Sequence, residues 1–209
     1  MPTATTIART KRACGAGSRA DARLIVYRAV VGLSWLVFFI LWAILALVYR
    51  DGKDRRRDSW LAHGIRLLFV VAIVFSMVSL EHAPVLQFGE LAGRFQAFGA
   101  VLSLAGVAFA GWARVAIGRS WGMPMTRHES PELVTSGPYR LVRHPIYTGL
   151  IAMWIGTSLV YPFAAVYCGL VIVYMIFASL REERDMQQQF PDVYPAYKQR
   201  SKMLVPFIF

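Results

Sequence analysis

The sequence of 209 residues is poor in the side chains that hold metals and disulfides, with only two cysteines and four histidines. Cys14 lies in a polar stretch and Cys168 in an apolar run, so the pair predicts neither a disulfide framework nor a metal cluster. The histidines lack HExxH spacing and no CxxC motif is present, which argues against the common zinc motifs. We therefore expect no metal site.

Acidic residues are also scarce, 12 against 23 Lys and Arg, which gives a formal net charge of +11. A strong positive charge is compatible with nucleic-acid binding, but no motif of a recognised nucleic-acid-binding module accompanies it. Basic residues that flank apolar spans are typical of the cytoplasmic loops of membrane proteins. We expect membrane lipids, and no nucleic acid, as partners.

Long apolar blocks dominate the chain, which is 56% hydrophobic and only 17% charged. A bilayer core needs roughly 20 helical residues, and several blocks reach that length. The last block, Pro145–Leu180, would measure about 54 Å as one straight helix, well beyond a ~30 Å core. Tyr161-Pro162 is the natural point to divide it into a hairpin. The resulting predicted spans are Leu24–Tyr49, Trp60–Leu80, Phe95–Ala113 and the two arms of that hairpin.

The predicted fold is thus an all-α integral membrane protein with about five transmembrane helices, a C-terminal helical hairpin and a cytoplasmic cofactor pocket. Residues 1–23 are predicted to be a disordered basic tail. Residues 24–209 are predicted to form one membrane domain, with N-terminal spans in 24–113 and a cofactor-binding catalytic core in 114–209. Most Lys and Arg then share one side, which places that side in the cytoplasm. The basic tail conflicts with this orientation.

A first polar motif, LVTSGPYRLVRHPIYTGL at residues 133–150, precedes the hairpin. Pro145 suits the first position of a helix, where the following N–H groups form an anion site. Arg143 and His144 add charge-assisted donors for a carboxylate or phosphate, although both residues are also common at a cytoplasmic membrane edge. Gly149, one turn into the helix, would allow a ligand or another helix to approach closely. In the preceding span, Gly106 and Ala110 form a small-xxx-small face suited to close packing.

A second polar cluster follows the hairpin at residues 180–209. Glu182 and Glu183 lie at the exit of the last span, either as solvated residues paired with neighbouring arginines or as acceptors for a ligand's hydroxyl or ammonium groups. Beyond them, three residues recur at three-residue steps, namely Tyr194, Tyr197 and Arg200. They would share a face if the segment were helical, which Pro195 makes doubtful.

Together the blocks LVTSGPYRLVRHPIYTG and EExxMxxxFPxxYxxYxxR, the second starting at Glu182, resemble the isoprenylcysteine carboxyl methyltransferase family and its phospholipid methyltransferase relatives. The resemblance covers roughly residues 121–209. It implies methyl transfer from S-adenosylmethionine to a lipid-like, prenylated or small hydrophobic acceptor that enters between helices. The implied site faces the cytoplasm in a multi-pass protein, of the inner membrane if the protein is bacterial.

The resemblance also implies roles for individual residues. Leu133 and Val134 would make backbone and apolar contacts to the cofactor. Its pocket would be lined by Tyr139, His144 and Tyr147, and Glu182 would hold one of its polar parts. The predicted catalytic set is Arg143, Glu182, Tyr197 and Arg200.

Two positions depart from the family pattern. Ala178 stands where members that act on prenylated cysteine carry an arginine for the substrate carboxylate, which weakens the carboxyl-methylating assignment. The candidates to replace that arginine are Arg143, Arg181 and Arg200. Pro191 replaces a more usual glycine, a minor change.

Several alternatives remain open from the sequence. A phospholipid N-methyltransferase or a methyltransferase for a small thiol or carboxylate would use the same motifs. The absence of an obvious base favours a carboxylate or thiolate acceptor. A membrane reductase of the sterol-reductase type, which uses NADPH, and an inactive membrane scaffold are the alternatives from other classes. The sequence does not predict an oligomeric state.

Overall fold

The computed structural model describes residues 4–48, 89–118 and 133–206. The predicted span Trp60–Leu80 lies outside these residues. Within them the structure is all-helical and has no strand, only an isolated bridge between Val142 and Lys202. The described residues form five helices, which we number α1 (Ala4–Val48), α2 (Gly89–Ile117), α3 (Pro145–Val160), α4 (Ala164–Gln189) and α5 (Tyr194–Arg200), with a 3-10 turn at Gly137–Arg140.

Three of these helices contain segments long and apolar enough to cross a membrane, Asp21–Leu45, Gly93–Ile117 and Ala164–Gln189. The fourth apolar helix, α3, is shorter at 16 residues, about 24 Å at 1.5 Å per residue. These helices confirm the all-helical fold with long apolar segments that the sequence predicts. The structure also continues α1 back to Ala4, where the composition predicts a disordered tail. Alanine, arginine and lysine are good helix formers, and extending an existing helix costs less than starting one.

Within the described ranges, α2 and α3 pack closely against each other through glycines. A Cβ added at Gly106 would lie 2.6 Å from the carbonyl oxygen of Gly149, and one added at Gly149 would lie 2.8 Å from the Cβ of Ala110. Gly99 of α2 and Gly156 of α3 make the same kind of close contact at another point along these two antiparallel helices. The predicted small-residue face is confirmed, and another helix, not a ligand, approaches Gly149.

Helix α1 packs across this pair and runs in the same direction as α2. Trp35 Nε1 donates a 3.0 Å hydrogen bond to Thr157 Oγ1, and Phe38 packs against Val107 and Met153 in the core. Because Trp has a single polar atom, its bond to Thr157 satisfies the indole inside an apolar contact.

The predicted hairpin between α3 and α4 is confirmed. Helix α3 ends at Val160 and α4 begins at Ala164, whose N–H donates 2.8 Å to Tyr161 O across the turn. The guanidinium of Arg28, from α1, lies 5.3 Å from the centre of the Tyr161 ring. The outer face of α4 exposes large apolar residues, as a lipid-facing surface does: Val166, Leu170, Val173, Tyr174 and Phe177.

Candidate active site

The start of α3 forms one wall of the site, and Pro145 is its first helical residue, as predicted. The chain just before it is held by a three-residue segment, residues 202–204, which we call the C-terminal strap. Arg143 N–H donates to Lys202 O at 2.8 Å, and His144 N–H donates to Met203 O at 3.1 Å. Thr148 Oγ1 adds a 2.6 Å bond to the third carbonyl of the strap. The strap therefore fixes the entry to α3 through backbone oxygens.

The 3-10 turn is tied to α5 by a buried tyrosine. Gly137 has a φ of 61°, a left-handed conformation that favours glycine, and it starts the turn that buries Tyr139. Tyr197 donates a 2.6 Å hydrogen bond from its hydroxyl to the backbone oxygen of Tyr139. Burial raises the pKa of Tyr197 to about 12, so this phenol is a neutral donor near pH 7. Contrary to the doubt raised by Pro195, the segment Tyr194–Arg200 is helical, because proline is accepted in a first turn.

Arg143 lies in a buried cluster of charges. Its Nε donates 2.6 Å to Glu183 Oε1, and its Nη1 donates to the backbone oxygens of Lys198, at 3.2 Å, and Ser201. The second oxygen of Glu183 pairs with Lys198 Nζ at 2.7 Å. Only 8% of the Arg143 side chain and 4% of the Glu183 side chain are exposed. The cluster therefore joins the entry of α3, the end of α4 and α5 into one unit.

His144 lies between two carboxylates. Its Nδ1 is 3.4 Å from Glu182 Oε2 and its Nε2 is 3.8 Å from Glu183 Oε1. Tyr147 stacks on the imidazole, with ring centres 5.7 Å apart and planes at 8°, and donates a hydrogen bond to Glu182. The sequence predicts that Arg143 and His144 bind a carboxylate or phosphate. In the structure, two carboxylates of the protein itself, those of Glu182 and Glu183, lie against these side chains.

The charge state of His144 follows from these neighbours. Burial lowers the pKa of His144, but the neighbouring carboxylates of Glu182 and Glu183 outweigh it and raise the pKa above the ordinary 6.5. The imidazole is thus held toward its protonated, donating form. A protonated imidazole has no lone pair to accept a proton, so His144 is a poor general base in this state.

A polar cleft of about 330 Å³ opens beside this unit, lined by Thr135, Arg140, Tyr197 and Arg200. The predicted site residues Leu133 and Val134 are half-buried just before it along the chain. The structure thus joins most of the predicted site through shared contacts, with Tyr139, Arg143, His144, Tyr147, Glu182 and Tyr197 in the joined units and Arg200 on the wall of the adjoining cleft.

Sequence reasoning missed part of this site. The sequence predicts Glu183, like Glu182, as a solvated residue paired with a neighbouring arginine or as an acceptor for a ligand, yet Glu183 is the buried acceptor of the cluster and pairs with Arg143 and Lys198. The signal present in the sequence was a pair of adjacent glutamates, which on a helix point about 100° apart. Arg140 and Thr135 carried no signal beyond lying inside the first motif.

The residues fit a cofactor that carries both a cation and hydroxyl groups. Glu182 keeps 42% of its side chain exposed, so its carboxylate is open to a ligand beside the Tyr147 ring. Within the part of the chain that the structure describes, the buried His144 Nε2 makes no hydrogen bond. An aromatic face and a carboxylate are groups that suit a sulfonium and ribose hydroxyls. No group of three metal-binding side chains occurs among the described residues.

Comparison with known proteins agrees with the motifs. Residues 95–193 match the phospholipid methyltransferase family. Methanethiol S-methyltransferase 1 of Bradyrhizobium diazoefficiens is 34% identical over 77 residues, 37% of this chain and 27% of that protein. Protein-S-isoprenylcysteine O-methyltransferase B of Arabidopsis thaliana is 32% identical over 117 residues, 53% of this chain and 59% of that protein. The chain thus spans less than two thirds of both of these relatives.

A longer match extends across nearly the whole of another relative. Protein-S-isoprenylcysteine O-methyltransferase A of Arabidopsis thaliana is 32% identical over 185 residues, which is 84% of this chain and 91% of that protein. The family predicted from the two sequence blocks is confirmed, and the chain belongs to the isoprenylcysteine O-methyltransferase family of methyltransferases, related to the phospholipid methyltransferases.

Proposed function

We propose that the protein is an integral membrane methyltransferase that uses S-adenosylmethionine to methylate a carboxylate on a lipid-like acceptor. The observation that carries the proposal is the unit formed by Tyr147, Glu182 and His144 at the mouth of an apolar hairpin. This unit combines an open carboxylate with stacked rings in a chain whose family transfers methyl groups.

The chain's own residues position and desolvate the reactants. S-adenosylmethionine, when bound, supplies a methyl group on a sulfonium sulfur. Glu182 would accept hydrogen bonds from the hydroxyl or amino groups of the cofactor, and the Tyr147 ring would stabilise its positive charge. The ion pair of Arg143 with Glu183 holds these groups in place, because it fixes the two helix ends that carry them. In-line displacement depends chiefly on such positioning.

The charge states favour a carboxylate acceptor over an amine or a thiol. An ammonium group and a thiol must each lose a proton before they attack, whereas a carboxylate is already a nucleophile near pH 7. Burial lowers the pKa of His144, but Glu182 and Glu183 raise it overall and so favour the protonated imidazole, and Glu183 itself is paired with two cations. Burial keeps the Tyr197 phenol neutral. These three groups are therefore poor bases, which argues against the N- and S-methylating alternatives.

The membrane arrangement is part of the proposal. Helices α1 and α2 run in the same direction, and α3 and α4 form a hairpin, which supports five crossings with the predicted span Trp60–Leu80 between α1 and α2. Basic residues around the site, such as Arg140, Arg143 and Lys198, support a location on the cytoplasmic side. The acceptor enters from the bilayer between helices, and the cofactor enters from the cytoplasm.

Cofactor binding tests the proposal directly. S-adenosylhomocysteine is titrated calorimetrically into detergent-purified wild type, Glu182→Gln, His144→Ala and the control Asp192→Asn, an exposed carboxylate near α5. We expect wild-type and control binding to agree within twofold, and the Glu182 and His144 variants to bind at least tenfold more weakly. Full affinity in both site variants would show that this site is wrongly assigned, and binding of NADPH alone would favour the reductase class.

A further inference from the structure

Two arginines near the site, Arg140 and Arg200, lie outside the buried cluster. The structure gives the side chains of Arg140 and Arg200 no hydrogen bond or ion pair with any described residue, and both residues are exposed. They lie on different elements, the 3-10 turn and α5, and both line the same cleft of about 330 Å³.

The cleft has the composition of an anion site. The other described lining residues, Thr135 and Tyr197, carry hydroxyl groups, and none of the described residues that line the cleft is acidic. Two guanidinium groups on one small cleft repel each other, and a bound anion relieves that repulsion with charge-assisted hydrogen bonds. The hydrogen bond from Tyr197 to Tyr139 fixes the two walls relative to each other, so the positive charges are positioned in advance.

The structure also decides among the three arginines that could serve in place of Ala178. Arg143 is committed to Glu183 and two backbone oxygens, and its release would leave a carboxylate buried without one of its two cations. Arg181 is exposed but does not line the cleft. Arg200 does line the cleft, and Arg140 joins it there.

We propose that Arg140 and Arg200 bind the carboxylate of the methyl acceptor and so replace the arginine that the family pattern places at Ala178. This inference rests on the proposed function, since it names the groups that recognise its acceptor. The planar guanidinium group of each arginine suits a carboxylate because it presents parallel N–H donors. The cleft volume of about 330 Å³ has room for a small polar head group.

The reaction at this carboxylate balances without a base. One carboxylate oxygen forms a bond to the methyl carbon while the methyl–sulfur bond breaks and its electron pair stays on sulfur. A methyl ester and a neutral thioether result, and no proton moves. The two arginines orient the carboxylate, and they hold the negative charge that the reaction consumes.

The experiment measures two affinities separately in the full-length, detergent-purified protein. The probes are S-adenosylhomocysteine and an N-acetylated S-prenyl cysteine, the latter beside its carboxamide, which has the same shape without the charge. The variants are Arg140→Gln, Arg200→Gln, the double variant and the control Arg184→Gln, an exposed arginine outside the cleft.

We expect each single variant to bind the carboxylate probe about tenfold more weakly, and the double variant about 100-fold more weakly, as charge-assisted hydrogen bonds of this kind imply. Arg184→Gln should bind it as wild type does, and the carboxamide should bind weakly to every protein. Affinity for S-adenosylhomocysteine should stay within twofold throughout, which also shows that the variants are folded.

Three results would overturn the inference. The first is an unchanged carboxylate affinity in the double variant. The second is a loss of S-adenosylhomocysteine affinity as large as the loss for the carboxylate, which would assign the cleft to the cofactor. The third is an alkyl phosphate that binds more tightly than the carboxylate and depends equally on both arginines. Wild type that binds the carboxylate through these arginines but not S-adenosylhomocysteine would contradict the proposed function alone.

Discussion

The contact between Gly106 and Gly149 leads to a prediction that links packing to the site. In Gly106→Ala the new Cβ would lie 2.6 Å from Gly149 O and 2.9 Å from Met153 N, both backbone atoms, whereas ordinary contact begins at 3.4 Å. The two helices must therefore separate by several tenths of an ångström. Overpacking of this kind costs about 1–3 kcal/mol, and the better helix propensity of alanine returns about 0.5–1 kcal/mol.

We expect Gly106→Ala to lose up to about 2.5 kcal/mol of unfolding free energy by this difference. The matched control is Gly169→Ala on α4, where an added Cβ meets nothing within 4 Å, so only the propensity gain applies. The assay is denaturant unfolding in detergent micelles, followed by tryptophan fluorescence. S-adenosylhomocysteine affinity should also fall in Gly106→Ala, because α3 carries Tyr147 at its start. Equal stability of the two variants would refute the close approach of α2 and α3.

Three further predictions concern the charged unit and its hydrogen bonds. Glu183→Gln should cost about 3–5 kcal/mol in unfolding experiments, because it leaves the buried Arg143 without its carboxylate; a change below about 0.5 kcal/mol, the range of surface substitutions, would contradict the buried pair. Since the pKa of His144 is raised in the folded protein, its stabilising effect is complete below pH 6.5 and is lost as the pH rises through the folded value. Wild type should therefore lose stability relative to His144→Gln on going from pH 6 to alkaline pH, and parallel pH profiles of the two proteins would speak against this charge state. Tyr197→Phe removes the hydrogen-bond donor to Tyr139 O and should cost about 1–2 kcal/mol of stability. It should also weaken binding of the carboxylate probe. An unaltered affinity would mean that other contacts hold the walls of the cleft.

The elements of the fold that depend on local chemistry were predictable from the sequence. The length of the apolar run and Tyr161-Pro162 indicated the hairpin, and Pro145 indicated the start of α3, because proline restricts the backbone around it. The helical start at Ala4 was not predicted, since the tail has no apolar periodicity.

The site was less predictable because its contacts join residues far apart in the chain. Glu183 meets Arg143 across 40 positions and Tyr197 meets Tyr139 across 58. No spacing rule shows which of two adjacent glutamates faces inward. The convergence of Arg140 and Arg200 depends on how α5 packs, which only the folded chain specifies.

The C-terminal strap has a consequence for how this protein can change over evolutionary time. All three of its bonds to the entry of α3 end on main-chain oxygens, which every amino acid supplies. Substitutions at Lys202, which is exposed, leave those acceptors in place, so this position is free to diverge among relatives while the architecture persists. A change in the number of residues is different, because a single insertion or deletion there would shift each acceptor by one place. Selection on the strap should therefore preserve its length more strictly than the identities of its residues.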